Sequence, residues 1–136
     1  MTPQQSLFTE ILTTLRENLP YPICDGSIPR SITFPYIYIG DGIQTDDQTK
    51  SCLIGNIQQT IHVWHDDPEK RGELSDVMGR VITHCRRLAR REFSFEVKGM
   101  NQRIISDESE TGKGGGGLLH GIINLYVSFS PSSISI

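Results

Sequence analysis

The sequence predicts an α+β fold in which two helices pack on one face of a mainly antiparallel or mixed β-sheet, with a long hairpin loop. Three observations predict it: two segments with apolar residues at helical spacing, several segments that alternate in polarity, and the order helix, strands, helix, strands. With 136 residues there is room for one core and little for a second, so residues 1–130 are expected to form a single domain and residues 131–136 a short C-terminal tail.

Thr2-Pro3 reads as an N-cap followed by proline at the first helical position, and Leu7, Phe8, Ile11, Leu12, Leu15 and Leu19 recur at helical spacing behind it. Pro20 and Pro22 stop that helix near Asn18 and leave space for a brief strand at Ile23-Cys24. The aromatic and β-branched run from Phe34 to Ile39 reads as a strand that ends at Gly40-Asp41-Gly42. From Ile43 to Gly55 the chain turns polar, and strand character returns from Ile57 to His65, so a long hairpin excursion is expected between them. Asp67-Pro68 reads as the start of a second helix, whose apolar stripe runs Leu74, Val77, Met78, Val81, Ile82, Cys85, Leu88 and Ala89. Phe93, Phe95 and Val97 then alternate with polar residues, and Arg103-Ile104-Ile105 starts another strand. After the acidic, glycine-rich turn DESETGKGGGG, a long strand places Leu119, Gly121, Ile123, Leu125, Val127 and Phe129 on one face and His120, Ile122, Asn124 and Tyr126 on the other.

Composition narrows the function. A hydrophobic fraction of 36% and a charged fraction of 21% suit a globular domain. No apolar run approaches the roughly 20 residues that span a bilayer, and MTPQQSLFTE lacks the features of a secretory leader, so no membrane partner and a cytoplasmic chain are expected. Cys24, Cys52 and Cys85 are odd in number and form no CxxC pair, which points to reduced thiols. The net charge of -3 argues against a general nucleic-acid binder. Acidic residues gather in expected loops, while Arg80, Arg86, Arg87, Arg90 and Arg91 lie along one helical stretch, so the surface is polarised by sign.

Candidate chemistry is sparse. The segment Glu110 to Gly117 lacks the Ser or Thr after the lysine that a phosphate loop requires, and a strand, not a helix, follows it; four glycines make a hairpin tip. His62, His65, Asp66 and Asp67 have ligand-like chemistry, but His62 and His65 are three apart on a strand and face opposite sides, and Asp67 is better used as a helix cap. No GxSxG, HExxH or cysteine-centred motif is present, and His84 and His120 have no evident partner, so neither a catalytic residue nor a metal is assigned. The arginines at the end of the second helix suit its dipole and salt bridges to a neighbour's acidic loop.

The string Phe34-Pro35-Tyr36-Ile37-Tyr38-Ile39-Gly40-Asp41, the hairpin ending in Thr60-Ile61-His62-Val63-Trp64-His65, the amphipathic helix, and the closing Asp107 with His120-Gly121-Ile122-Ile123-Asn124-Leu125 resemble the tail-completion proteins of phages with long non-contractile tails. The resemblance runs along most of the chain and rests on the order and spacing of short pieces; the flexible Gly114 to Gly117 run departs from it. It implies a homo-oligomeric ring subunit of the virion, hexameric in the family's manner, that caps the tail tube protein and docks to the head connector or a head-completion protein. Double-stranded DNA passes through transiently, with no catalysis and no cofactor; before assembly the chain resides in the host cytoplasm. A ring needs two different complementary patches per subunit. Arg86, Arg87, Arg90 and Arg91, with Asp107 and Glu108, are the candidate ring interface, and the hairpin carrying Asp41, Asp46, Asp47 and Lys50 is the candidate assembly or lumen loop. Two rival readings are a small nucleic-acid-binding adaptor using the arginine-rich helix end, which salt-dependent DNA binding would reveal, and a small enzyme using His62 or His65, which a stoichiometric metal would reveal.

Overall fold

In the computed structural model, which describes residues 1–47, 53–108, 112 and 116–132, the chain runs α1 (Pro3–Asn18), β1 (Ile23–Cys24), β2 (Tyr36–Asp46), β3 (Gly55–His65), α2 (Arg71–Cys85), β4 (Phe93–Asp107) and β5 (Leu118–Pro131). The Thr2 hydroxyl accepts the Gln5 N–H at 3.1 Å and Pro3 opens α1, so the first helix starts as its sequence dictates. Leu19 is already extended ahead of Pro20.

The strands form one open sheet in the order β1-β2-β3-β5-β4. β1 lies parallel to β2, and every other neighbouring pair is antiparallel. The sheet is therefore mixed, as expected. Both helices contribute to a single core on one face, where Leu7, Ile11 and Leu15 of α1 and Leu74, Met78 and Val81 of α2 meet Ile37, Ile61, Ile123 and Leu125. Each of those larger side chains stabilises the domain by about 1.5–3 kcal/mol through burial. On β3 and β5 strict alternation gives this face to Ile57, Ile61, Val63, Ile123, Leu125 and Val127.

Three boundaries differ from the sequence expectation, each for a local reason. β2 does not stop at Ile39. A bulge between Ile39 and Gly42 resets its register, and Gly42 to Asp46 then pair with Gly55 to Gln59, which shortens the expected excursion to residues 47–54. The bulge is held by the buried Gln59, whose Nε2 donates to the carbonyls of Gly40 at 2.9 Å, Asp41 at 3.3 Å and Thr60 at 3.1 Å.

α2 is shorter at both ends than its apolar stripe. Asp67 does not cap it: its carboxylate accepts the Glu69 N–H at 3.0 Å and its carbonyl accepts the Lys70 N–H at 3.0 Å, which closes a separate turn, and the helix begins at Arg71. Beyond Cys85 the Arg87 N–H turns back to the His84 carbonyl at 3.1 Å, a tight closing turn that leaves Leu88 half-buried and Ala89 exposed outside the helix. The arginines from Arg86 to Arg91 consequently lie on the connection to β4 and not along a helical face.

The two expected strands near Phe93 and Arg103 are one. A bulge between Val97 and Gly99 shifts the phase, so Phe95 and Val97 before it and Met100 and Ile104 after it pack toward the same core.

Candidate functional site

The positions of the charged groups follow from the register. Gly55 pairs with Phe129, Phe95 pairs with Phe129, and Asp46 pairs with Gly55, so the β2–β3 tip and the start of β4 lie at one end of the sheet. His65 pairs with Leu119 and Asp107 with Leu118, so the β3–α2 turn and the end of β4 lie at the other. At about 3.4 Å per residue, the length of β4 separates these ends by roughly 45 Å.

Arg86, Arg87, Arg90 and Arg91 immediately precede β4 at the first end, whereas Asp107 and Glu108 close β4 at the second. Within the chain these two candidate groups are not brought together. Asp107 and Glu108 instead share their end with Asp66, Asp67, Glu69 and Glu73, acids that outnumber Lys70 and Arg71 around the start of α2. Asp46 and Asp47 share an end with the arginines but lie at the end of β2 and just beyond it, at the opposite side of the sheet from β4. Asp41 lies apart from them, at the bulge, close enough to His62 to favour that ring's charged form. Lys50, Cys52, Gly114 and Gly115 lie outside the described residues.

Arg91 is not simply an exposed cation. Its Nε donates to both carboxylate oxygens of the buried Glu10, at 3.2 and 3.3 Å, tying the α2–β4 connection to α1. Nothing in the sequence pattern flagged Glu10, because it falls on the flank of the apolar stripe and its partner is 81 positions away. Arg86 lies over Met100, with Nη2 3.9 Å from the sulfur, and Arg80 donates to the Tyr21 hydroxyl at 3.1 Å. Arg87 and Arg90 are exposed.

The histidines face opposite sides of the sheet, as their spacing requires. His65 is buried on the helix side; its Nδ1 accepts the Asp67 N–H at 3.1 Å and its Nε2 lies 3.5 Å from the Glu73 carboxylate, an arrangement that fixes the β3–α2 turn. His62 lies on the uncovered side with its Nδ1 2.8 Å from Nε2 of His120, so one ring donates and the other accepts. His120 also stacks on Trp64, with ring centroids 3.8 Å apart and planes inclined by 8°. His120 therefore does have partners, contrary to the sequence expectation; they become visible only once β3 and β5 are in register. Burial, then the neighbouring His62, pushes the His120 pKa down to about 4, while burial lowers that of His62. Among the described residues no group of three His, Cys, Asp or Glu side chains is placed to hold a metal ion.

The uncovered face continues as a hydrogen-bonded ladder. Thr60 donates to Asn124 at 2.9 Å, Asn124 to Asn101 at 3.0 Å, and Asn101 to the Tyr126 hydroxyl at 3.1 Å. On the two central strands every outward position is uncharged: Asn56, Gln58, Thr60, His62 and Trp64 on β3, then His120, Ile122, Asn124, Tyr126 and Ser128 on β5. Charges appear only on the flanking strands, as Asp41, Glu96 and Asp107 against Lys98 and Arg103.

These features define an open-sheet α+β domain whose two central strands present an uncharged outer face. Solved structures share this fold end to end. One chain from the virion of a native gene transfer agent particle is 12% identical, with a TM-score of 0.67 over 97% of this chain and 100% of that one. The gp17 protein of bacteriophage SPP1 is 23% identical, with a TM-score of 0.57 over 98% of this chain and 94% of that one. At these identities the likeness is one of fold. No protein-family model matches the sequence, and no curated protein matches it in sequence.

Proposed function

We propose that the protein is a non-enzymatic tail-completion subunit of a phage, which forms a ring, closes the tail tube, joins it to the head connector and lets DNA pass. The observation that carries this reading is the likeness in fold, along nearly all of this chain, to a chain of a gene transfer agent virion and to a phage protein. The resemblance in the ordered sequence pieces points the same way.

The charge placement supports a specific ring contact. Rings need a heterologous interface, in which one side of a subunit meets the other side of the next. Arg87 and Arg90 at the β4 side and Asp46 and Asp47 at the β2 side lie at the same end of the sheet, so neighbours of equal height bring them together. Asp107 and Glu108, at the far end, are better placed to meet the axial partner, the tail tube protein or the head connector.

An exposed pair contributes only about 0–1 kcal/mol, so several must act together and assembly weakens as salt rises. Replacing Arg87→Glu and Arg90→Glu is expected to block ring assembly in a folded subunit, and adding Asp46→Lys and Asp47→Lys is expected to restore it. Assembly that is indifferent to the first pair, or a fourfold variant no better than the double one, would contradict this contact.

A further inference from the structure

We propose that the uncovered face of the sheet lines the channel of the ring, with passing duplex DNA as its occupant. This deepens the ring reading and rests on it. The inference begins with charge: the two central strands present ten outward side chains without one Asp, Glu, Lys or Arg, in a chain whose charged fraction is 21%. A channel for a polyanion must avoid cations, because each one held against phosphate adds counterion-release affinity and slows transit. The flanking strands add three acids against two bases, which repels DNA slightly on balance.

The polar groups of this face are also satisfied from within. The ladder from Thr60 to Tyr126 and the His62–His120 hydrogen bond leave fewer donors seeking phosphate oxygens. The depressed His120 pKa keeps that ring uncharged at neutral pH.

Topology permits the arrangement. Three successive antiparallel pairings make β2 and β4 run in opposite directions, so copies set side by side in one orientation place β4 of one beside an antiparallel β2 of the next. With the bare face turned inward, both helices fall outside. Four long strands at about 4.8 Å spacing give roughly 19 Å of wall per copy, and six copies, the ring size the resemblance implies, enclose a circle about 37 Å across between backbones. Side chains about 6 Å deep on each wall leave roughly 25 Å, which admits a duplex about 20 Å across.

The test places Asn56→Lys with Gln58→Lys, two exposed positions on β3, in particles that carry the variant ring. Rings should form and tails should join, while DNA exit, timed by dye release, slows by about tenfold at low salt and recovers as salt rises. The pair Asn56→Ser with Gln58→Ser should eject at the normal rate. Unchanged exit in particles shown to contain the lysine ring would overturn the assignment, as would failure of both folded variants to form rings, which would make this face a contact between copies. Failure of the unsubstituted protein to form rings or join tails would instead strike the underlying reading.

Discussion

His120 is the residue whose environment has the clearest consequence in solution. Its folded pKa, about 4, lies below the ordinary value of 6.5, with Asp107 opposing the shift and Arg103 adding to it. Between those values the unfolded chain binds more protons than the folded one, so this contribution to stability is complete above about pH 6.5 and is lost as pH falls toward 4. The ring is partly exposed, so solvent screening limits the effect to about 1–2 kcal/mol. His120→Gln keeps a partner for His62 without a titrating ring, and urea unfolding followed by Trp64 fluorescence should show less stability lost from pH 7 to pH 5 than in the unsubstituted protein. An identical loss in both would mean that other groups carry the acid response. The same cluster shows where sequence reading runs out: His62 and His120 are 58 positions apart, and only the strand register makes them neighbours.

At the scale of elements, long segments of a single period were legible and interrupted ones were not. α1 matched its cap and proline signals because Thr2 acts locally, on the Gln5 N–H. β5 matched because one alternation runs uninterrupted across its length. β4 was split into two strands because its bulge moves the apolar residues from odd to even positions, and β2 appeared to end at Gly40-Asp41-Gly42 because the buried Gln59 that holds its bulge is supplied by another strand. The stripe on α2 gave the correct buried face but not the ends, since Leu88 and Ala89 continue the pattern after the helix has turned away. Val81 is fully buried at the centre of that stripe. Val81→Asp should cost about 3–5 kcal/mol by leaving a charge unpaired in the core, and should yield insoluble or unfolded protein. An unchanged melting temperature would remove α2 from the core described above.

For the whole molecule, the sheet orders three kinds of surface. One end carries the arginines ahead of β4 together with Asp46 and Asp47, the other carries the acids around the start of α2 with Asp107 and Glu108, and the bare face is uncharged along its middle. The runs of acidic and basic residues were legible along the chain, but which acids share an end with the arginines was not, because that depends on strand pairing: Asp46 and Asp47 do, and Asp107 and Glu108 do not. On the proposed reading, joining and channel lining would fall on different residues of one small core.

Whether copies of this chain close a tail tube as a ring is decided by electron microscopy of the purified protein mixed with uncapped tail tubes. A single ring with a central opening is expected at one end of each tube, and tubes so capped should join filled heads. Tubes that stay bare with the protein in excess, or protein bound along their length instead of at one end, would contradict it.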